Sequence, residues 1–125
     1  MLFRSIFCIG ETLKERRQKK TNQILKKQIE KGLKSIKKKS KIIIAYEPVW
    51  SIGTGVIPKE ADLNKTISFI KSKFIKKYPK ILYGGSVNVN NVSILKKIPN
   101  IDGFLIGGAS QNPKKFIAII KKTIN

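Results

Sequence analysis

The stretch that decides the fold is KIIIAYEPVWSIGTG, residues 41–55. It begins as an apolar run, reaches a glutamate at Glu47, and continues through Pro48 into a loop that contains Gly53 and Gly55. A continuously apolar run is typical of a strand that is buried on both faces of a parallel sheet. We therefore predict a strand over 41–46 that delivers an acidic side chain to its carboxyl end.

Other apolar runs on both sides of this stretch predict further strands. Together with 41–46, the predicted strands are residues 2–9, 80–83 and 101–106. Gly84-Gly85 and Gly107-Gly108 end the last two of them.

Helical patterns lie between these strands and after the last one. A short helix is expected over 13–17, and a second helix follows from a cap at Thr21. A third opens at Pro58, because the fixed dihedral of proline suits a first helical turn. A short helix is expected around 91–97, and the final helix is expected to start at Asn112-Pro113. The expected apolar positions of the three longer helices are Leu25, Ile29, Leu33 and Ile36; Leu63, Ile67, Ile70 and Phe74; and Phe116 and Ile120.

The alternation of strands and helices predicts an α/β fold with a parallel sheet. Four strand-helix units fill residues 1–125, with no low-complexity linker and no domain boundary. Two architectures fit this pattern: a small doubly wound domain, or half of a (β/α)8 barrel, whose usual length is about 250 residues. The residues at the strand ends choose between them.

The net charge of the chain is +20, from 27 basic and 7 acidic residues, and the chain contains no histidine. Basic residues are densest over 14–41, where 13 of them face 2 acids. Such a surface attracts anions in general. The sequence shows no interleaved aromatic and basic residues for base stacking and no zinc-ligand spacing. We therefore interpret the lysines as solvated helix faces and do not expect nucleic acid as a partner. A polyanion- or RNA-binding fragment without enzymatic role is the alternative.

The sequence also favours a cytoplasmic protein without a membrane partner. No apolar run approaches the length that crosses a bilayer, and the first residues lack the basic leader of a signal peptide. Cys8 is the only cysteine, so no internal disulfide is possible. That composition fits a reducing compartment.

Three of the four strand ends are rich in glycine, which allows a ligand to approach the backbone closely. Backbone amides exposed in this way, followed by a helix N-terminus, attract phosphate. Gly84-Gly85 and Gly107-Gly108 are therefore candidate parts of a phosphate site, or simply tight turns. Glu47 is a candidate general base at the same end of the sheet, or a cap or ion-pair partner.

The loop after Glu47 is longer than the usual strand-helix connection. Pro48 stiffens its start, Trp50 supplies a large apolar anchor, and Gly53 and Gly55 give freedom at its far end. We predict a lid that closes over a ligand and excludes water, with an ordinary connection as the alternative.

Four motifs together resemble the triosephosphate isomerase family. In order they are CIGET at 8–12, AYEPVWSIGTG at 45–55, YGGSV at 83–87 and DGFLIGGAS at 102–110. Their order and spacing resemble the C-terminal half of that family, over nearly the whole chain. The resemblance implies the C-terminal half of a (β/α)8 barrel, about four β/α units that form one partial domain over 1–125.

The resemblance also implies a reaction and a set of residues. The family interconverts dihydroxyacetone phosphate and glyceraldehyde 3-phosphate through an enediol, without metal or organic cofactor. Glu47 matches its general base, and the family is itself a standard example of lid closure. The matching lid is Pro48, Val49, Trp50, Ser51, Ile52, Gly53, Thr54, Gly55 and Val56. The matching phosphate-binding amides are those of Gly53, Ser86, Gly107 and Gly108; Leu105 matches an apolar wall, and Tyr83 and Ser86 match residues that secure the closed lid.

Some residues of the family's site have no counterpart here. The polarising histidine, a substrate-binding lysine, an asparagine and a supporting glutamate lie on the family's first four units, which the resemblance does not reach. Each such loss costs orders of magnitude in rate, so we expect the chain alone to be inactive. A homodimer is implied for the complete family enzyme. A half-barrel that pairs into a pseudo-barrel with another phosphosugar role is a further alternative, which the preserved lid disfavours.

Overall fold

A computed structural model describes residues 3–74 and 78–125 of the chain. Its sheet contains four parallel strands: β1 (Ser5–Ile9), β2 (Ile42–Tyr46), β3 (Lys80–Tyr83) and β4 (Gly103–Phe104). Their spatial order is β1-β2-β3-β4, the order of the chain. A doubly wound sheet reverses its strand order at a switch point, whereas consecutive neighbours are the arrangement of a barrel segment. The predicted α/β class is therefore confirmed, and the topology is that of a partial barrel.

Within the described ranges, five α-helices connect and follow these strands. They are α1 (Leu13–Arg17), α2 (Thr21–Gly32), α3 (Glu60–Ser72), α4 (Val92–Leu95) and α5 (Pro113–Ile124). Short 3-10 turns precede β2 at Lys39–Lys41 and precede α5 at Gly108–Gln111. The capping residues explain two of the helix starts. Thr12 and Glu15 form a reciprocal capping box on α1, and the side chain of Asn112 accepts a hydrogen bond from Lys115 N at the start of α5.

The core packs one face of the sheet against α2 and α3, and Leu95 of α4 and Ile119 of α5 extend it. The strand register aligns Ile44 with Ile81 and Tyr46 with Tyr83, and all four side chains are completely buried. The predicted stripes of α2 and α3 cover this face, with buried side chains at Leu25, Ile29, Leu33, Leu63, Ile67 and Ile70. Gly32 of α2 is part of the packing, because a Cβ there would collide with the Phe7 ring.

Several predicted boundaries differ from the structure. The first strand begins at Ser5, and Leu2 lies outside the described residues. Strand β4 covers only Gly103–Phe104 instead of 101–106. Among the described residues it pairs only with β3, although Asp102 N and Leu105 N still donate to Ile81 O and Tyr83 O.

The helix starts of α2 and α3 were also misplaced. Thr21 is the first residue of α2 rather than its cap, and its hydroxyl is directed at Glu11 instead. Helix α3 begins at Glu60, two residues after Pro58, because the backbone of Lys59 is still extended.

Three predicted apolar positions are also less buried than expected. Ile36 lies beyond the end of α2 and is 39% exposed, and Phe74 lies beyond α3 and is only partly buried. On α5 the fully buried residue is Ile119, whereas Ile120 is 38% exposed. Phe116 and Ile120 nevertheless line the same groove beside β4. Within the ranges that the structure describes, no helix is both long and apolar enough to cross a bilayer.

Candidate active site

Strand β2 delivers Glu47 to the carboxyl end of the sheet, as the sequence predicts. The backbone N–H of Glu47 donates to Ile9 O at 2.8 Å, which extends the β1–β2 pairing by one residue. Two glycines make room for it. A Cβ at Gly10 would collide with the Glu47 carbonyl, and a Cβ at Gly84 would lie 2.6 Å from Glu47 Cγ. The acid is therefore held between the ends of β1 and β3, with a half-buried side chain.

The predicted lid follows directly and is a series of turns. Pro48 and Ser51 are buried, whereas most of the segment from Ile52 to Val56 is exposed. Gly53 and Gly55 have positive φ angles of 68° and 77°, a conformation that side chains disfavour. The lid thus has a packed first half and a second half that depends on glycine.

Hydrogen bonds hold the lid against the loop after β3. The hydroxyl of Ser51 lies 3.2 Å from the hydroxyl of Tyr83, donates to Val56 O, and accepts from Ser86 N at 3.1 Å. Gly55 N donates to Ser86 Oγ at 2.9 Å. Tyr83 and Ser86 therefore both contact the segment that is predicted to be the lid. We call these four contacts the latch.

The latch also requires a glycine at position 85. A Cβ at Gly85 would collide with the Tyr83 hydroxyl and lie 2.7 Å from Ser51 Oγ. Asn91, which is nearly buried, donates from Nδ2 to Ser86 O at 2.9 Å. This residue fixes the loop that carries Ser86.

A buried carboxylate anchors the other half of the lid. Glu11 is completely buried and accepts hydrogen bonds from Tyr46 OH at 3.0 Å and from Trp50 Nε1 at 3.3 Å. Arg16 makes an ion pair with it at 3.3 Å and stacks 4.6 Å from the Trp50 ring. Glu47 is therefore not the only acid at this end of the sheet.

The pKa values of the two buried tyrosines are raised, so both hydroxyls remain protonated donors. Burial is the main cause for both. The negative charge of Glu11 and its hydrogen bond add to the increase in the pKa of Tyr46. The Cys8 thiol on β1 also has a raised pKa, first from partial desolvation and then from the negative charge of Glu47.

All the residues predicted to bind substrate line one cleft together with Glu47. The cleft has a volume of about 760 Å³. Its lining includes Glu47, Gly53, Ser86, Leu105, Gly107 and Gly108. Among the described residues that line it, Glu47 is the one carboxylate and Lys115 the one basic side chain. A Cβ on Gly107 or Gly108 would meet no atom within 4 Å, so a ligand has open access to this stretch of backbone.

The chemistry of this cleft is asymmetric. The Glu47 carboxylate lies beside Gly84 in this cleft, and glycine backbone with one lysine lies on the β4 side. The arrangement is suited to an anionic ligand whose other part is presented to a base. Sequence reasoning had not assigned roles to Glu11, Asn91 or Lys115. The CIGET motif contained Glu11, but its partners Tyr46 and Trp50 are 35 and 39 residues away along the chain.

The chain was also compared with known proteins by sequence. The family model described as triosephosphate isomerase matches residues 2–123. The triosephosphate isomerase of Thermodesulfovibrio yellowstonii is 45% identical over 122 residues, which cover 93% of this chain and 50% of the relative. That of Mycoplasmoides gallisepticum is 46% identical over 127 residues, with coverage of 94% and 50%. That of Dictyostelium discoideum is 45% identical over 127 residues, with coverage of 95% and 49%.

The chain spans about half the length of the curated relatives that it matches. Nearly all of the chain takes part in these matches, and the strands, the lid and the cleft lie within the matched residues. The chain belongs to the triosephosphate isomerase family.

Proposed function

We propose that this chain supplies the base, the lid and the phosphate-binding part of a triose-phosphate isomerase site. The substrate is then dihydroxyacetone phosphate or glyceraldehyde 3-phosphate, interconverted through an enediol. The observation that supports this most is the cleft itself. Glu47 shares it with Gly53, Ser86, Gly107 and Gly108, and Leu105 adds an apolar side chain to its lining.

The proposed step at Glu47 is proton transfer between neighbouring carbons. The carboxylate removes a proton from the hydroxyl-bearing carbon next to the substrate carbonyl. The C–H electron pair forms the carbon–carbon double bond, and the carbonyl π pair moves onto the oxygen to give the enediolate. A proton then passes from the hydroxyl oxygen to the former carbonyl oxygen, and Glu47 returns its proton to the former carbonyl carbon, which gives the isomer. Glu47 is suited to both transfers, because Gly10 and Gly84 hold its backbone and side chain between two strands.

The lid and the glycines serve the same reaction. Backbone amides of Gly53, Ser86, Gly107 and Gly108 hold the phosphate, and binding of the phosphate favours the closed lid through Gly53. The latch keeps the lid over Glu47 and excludes water, which strengthens electrostatic interactions inside the cleft. No cofactor or metal takes part in this scheme.

Stabilising the enediolate oxygen needs a donor that this chain lacks, since it contains no histidine. The resemblance implies that a histidine on the family's first four β/α units polarises the substrate and that a lysine on those units binds it. We therefore propose that the chain alone turns over triose phosphate negligibly and that a segment with those units completes the site. Loss of a single electrostatic donor typically lowers kcat by about 10²–10³-fold.

Reconstitution tests this proposal. The chain is mixed with the first four β/α units of the Thermodesulfovibrio yellowstonii relative, and isomerisation of glyceraldehyde 3-phosphate is followed. We expect activity in the mixture and about 10²–10⁴-fold less with Glu47→Gln. Glu60→Gln on α3 is the matched control, because it removes the same charge outside the cleft. Activity that survives Glu47→Gln would overturn the assignment of the base.

A further inference from the structure

The opposite end of the sheet carries a second candidate site, far along the strands from Glu47. Two adjoining pockets of about 380 and 480 Å³ open at the amino ends of β1, β2 and β3. Ser40 and Tyr78 line both of them, so the two pockets are neighbours with a shared wall. We call this region the basal patch.

The basal patch is strongly basic. Its described lining includes seven basic residues and no acid: Arg4, Lys37, Lys38, Lys39, Lys41, Lys73 and Lys80. Of these seven, only Lys80 makes an ion pair within residues 3–74 and 78–125, with Asp102 at 3.2 Å. Six positive charges therefore have no ion-pair partner there, and they surround two pockets whose volumes suit a ligand. The electrostatic potential at this end of the sheet strongly favours a polyanion.

Aromatic rings lie among these charges. Tyr78 is 44% exposed between the two pockets, and the Lys80 ammonium lies 5.8 Å from its ring. The Lys39 ammonium lies 6.0 Å from the half-buried Phe74 ring in one pocket. Phe3 lines the other pocket and is 79% exposed.

The sequence does not show this pattern, because the fold assembles it from separate segments. Residues 3–4, 37–41, 73–74 and 78–80 meet only when β1, β2 and β3 align at their amino ends. Nucleic acid was not expected from the sequence, since no stretch interleaves aromatic and basic residues. The three-dimensional arrangement has both components.

We propose that the basal patch binds single-stranded nucleic acid. Lysines that track a phosphate backbone, combined with exposed rings on which bases stack, are the features of sequence-tolerant single-strand binding. A base stacked on Tyr78 places its flanking phosphates over the two basic pockets. A duplex hides the faces of its bases, and an anionic lipid surface has no base to stack, so neither uses the ring in this way.

The test measures binding of a labelled oligouridylate of about 15 nucleotides to the full chain by fluorescence anisotropy. The patch variant is Lys37→Ala/Lys38→Ala/Lys39→Ala. The control variant, Lys97→Ala/Lys114→Ala/Lys121→Ala, removes the same charge from α5 and the region after α4, away from the patch. We expect at least tenfold weaker binding by the patch variant and less than twofold weaker binding by the control.

Salt dependence and the ring give two further readouts. The slope of log K against log salt should fall in magnitude by about 2 in the patch variant, at about 0.7 per lost phosphate contact. Tyr78→Ala should weaken binding about fivefold or more, whereas Tyr78→Phe, which keeps the ring, should bind nearly as the parent chain does. Circular dichroism checks that each variant keeps its secondary structure.

Three results would overturn the proposal. Equal weakening by the two triple variants would show a diffuse response to net charge. Unchanged binding by Tyr78→Ala would remove the stacking contact. Displacement of the oligonucleotide by phosphatidylserine vesicles, with Tyr78→Ala binding the vesicles as the parent does, would assign the patch to a lipid surface.

The patch lies away from the cleft, so saturating dihydroxyacetone phosphate should leave oligonucleotide binding unchanged.

Discussion

The indole Nε1 of Trp50 donates a 3.3 Å hydrogen bond to the carboxylate of Glu11, which is completely buried beneath the lid. The same carboxylate accepts from the hydroxyl of Tyr46 and pairs with Arg16. Glu11 thus ties the first half of the lid to β2 and α1. Because Trp50 is the only tryptophan in the chain, its fluorescence reports on this contact directly.

We expect Glu11→Gln to destabilise the chain and release the indole. The amide keeps the size of the side chain, but it leaves Arg16 without its buried anionic partner. Arg16 keeps its contact with the exposed Asp62 at 3.6 Å, so the loss is that of the charge-assisted hydrogen bonds to Glu11, about 1.5–3 kcal/mol. Urea unfolding followed by circular dichroism measures the free energy of unfolding, and Trp50 emission should shift to longer wavelength as the indole is hydrated.

Glu30→Gln is the matched control for this change. Glu30 pairs with Lys26 at 3.8 Å on the exposed face of α2, and exposed pairs contribute little to stability. Neither the free energy of unfolding nor the emission should change in the control. If Glu11→Gln behaves like the control, the carboxylate does not anchor the lid.

The hydrogen bonds of the latch should determine how readily the second half of the lid opens. Ser86→Ala removes the acceptor for Gly55 N, and one hydrogen bond of this kind contributes about 0.5–1.5 kcal/mol. We expect the Gly55 amide to exchange with solvent about two- to tenfold faster, as measured by NMR hydrogen exchange. Ser68→Ala on the exposed side of α3 serves as the control.

Tyr83→Phe tests the same latch from the other side. It removes the hydroxyl that lies 3.2 Å from Ser51 Oγ and leaves the buried ring in place. The exchange rate at Gly55 should again rise, and the amides of α2 should be unaffected. An unchanged rate in both Ser86→Ala and Tyr83→Phe would show that other contacts hold the lid.

The sequence predicted the parts of this molecule that are local along the chain. The apolar run before Glu47 and the glycines after each strand marked the sheet, its carboxyl end and the loop that follows Glu47. Strand β3 and helix α1 have the predicted bounds, because turn and cap residues such as Thr12 delimit them. Strand β4 was predicted too long, since an apolar run does not show how many of its residues find a pairing partner.

What the sequence did not predict depends on contacts between distant residues. Thr21 resembled a cap, but its hydroxyl points to Glu11 because tertiary packing places the two together. The role of Glu11 itself depends on partners on β2 and in the lid. The basal patch likewise exists only after three strands align, so charge density along the chain pointed to residues 14–41 as a whole rather than to the site around Tyr78.

Substitution by alanine should destabilise the chain at one glycine of the cleft and have no effect on stability at another. A Cβ at Gly84 would lie 2.6 Å from Glu47 Cγ and 2.8 Å from its Oε1, so Gly84→Ala must displace the acid. A Cβ at Gly108 would meet nothing within 4 Å, so Gly108→Ala should leave the fold intact. Gly84→Ala should therefore lower the urea midpoint, and Gly108→Ala should leave it unchanged.

Binding of triose phosphate gives a second test of Gly108→Ala. The methyl group of Gly108→Ala would occupy space in which the proposed phosphate approaches the backbone. We expect it to weaken binding of dihydroxyacetone phosphate, measured by NMR titration of the cleft amides, without loss of stability. Full affinity in Gly108→Ala would move the phosphate away from this part of the cleft.

Cys8 offers a chemical probe of Glu47. Partial desolvation, and then the negative charge of Glu47, raise the pKa of the Cys8 thiol. A raised pKa means less thiolate at any given pH near 8, so alkylation should be slower than in the urea-unfolded chain and its pH midpoint should be higher. Cys8 is the only cysteine, so labelling by iodoacetamide followed by mass spectrometry reads a single site.

Glu47→Gln should lower that midpoint and speed labelling at pH 8, because it removes the neighbouring negative charge. The midpoint should remain above that of the unfolded chain, since desolvation is the larger cause and persists. Glu60→Gln at the start of α3 is the charge-matched control and should not change the rate. Equal rates in the parent, Glu47→Gln and Glu60→Gln would show that the Glu47 carboxylate does not act on the Cys8 thiol.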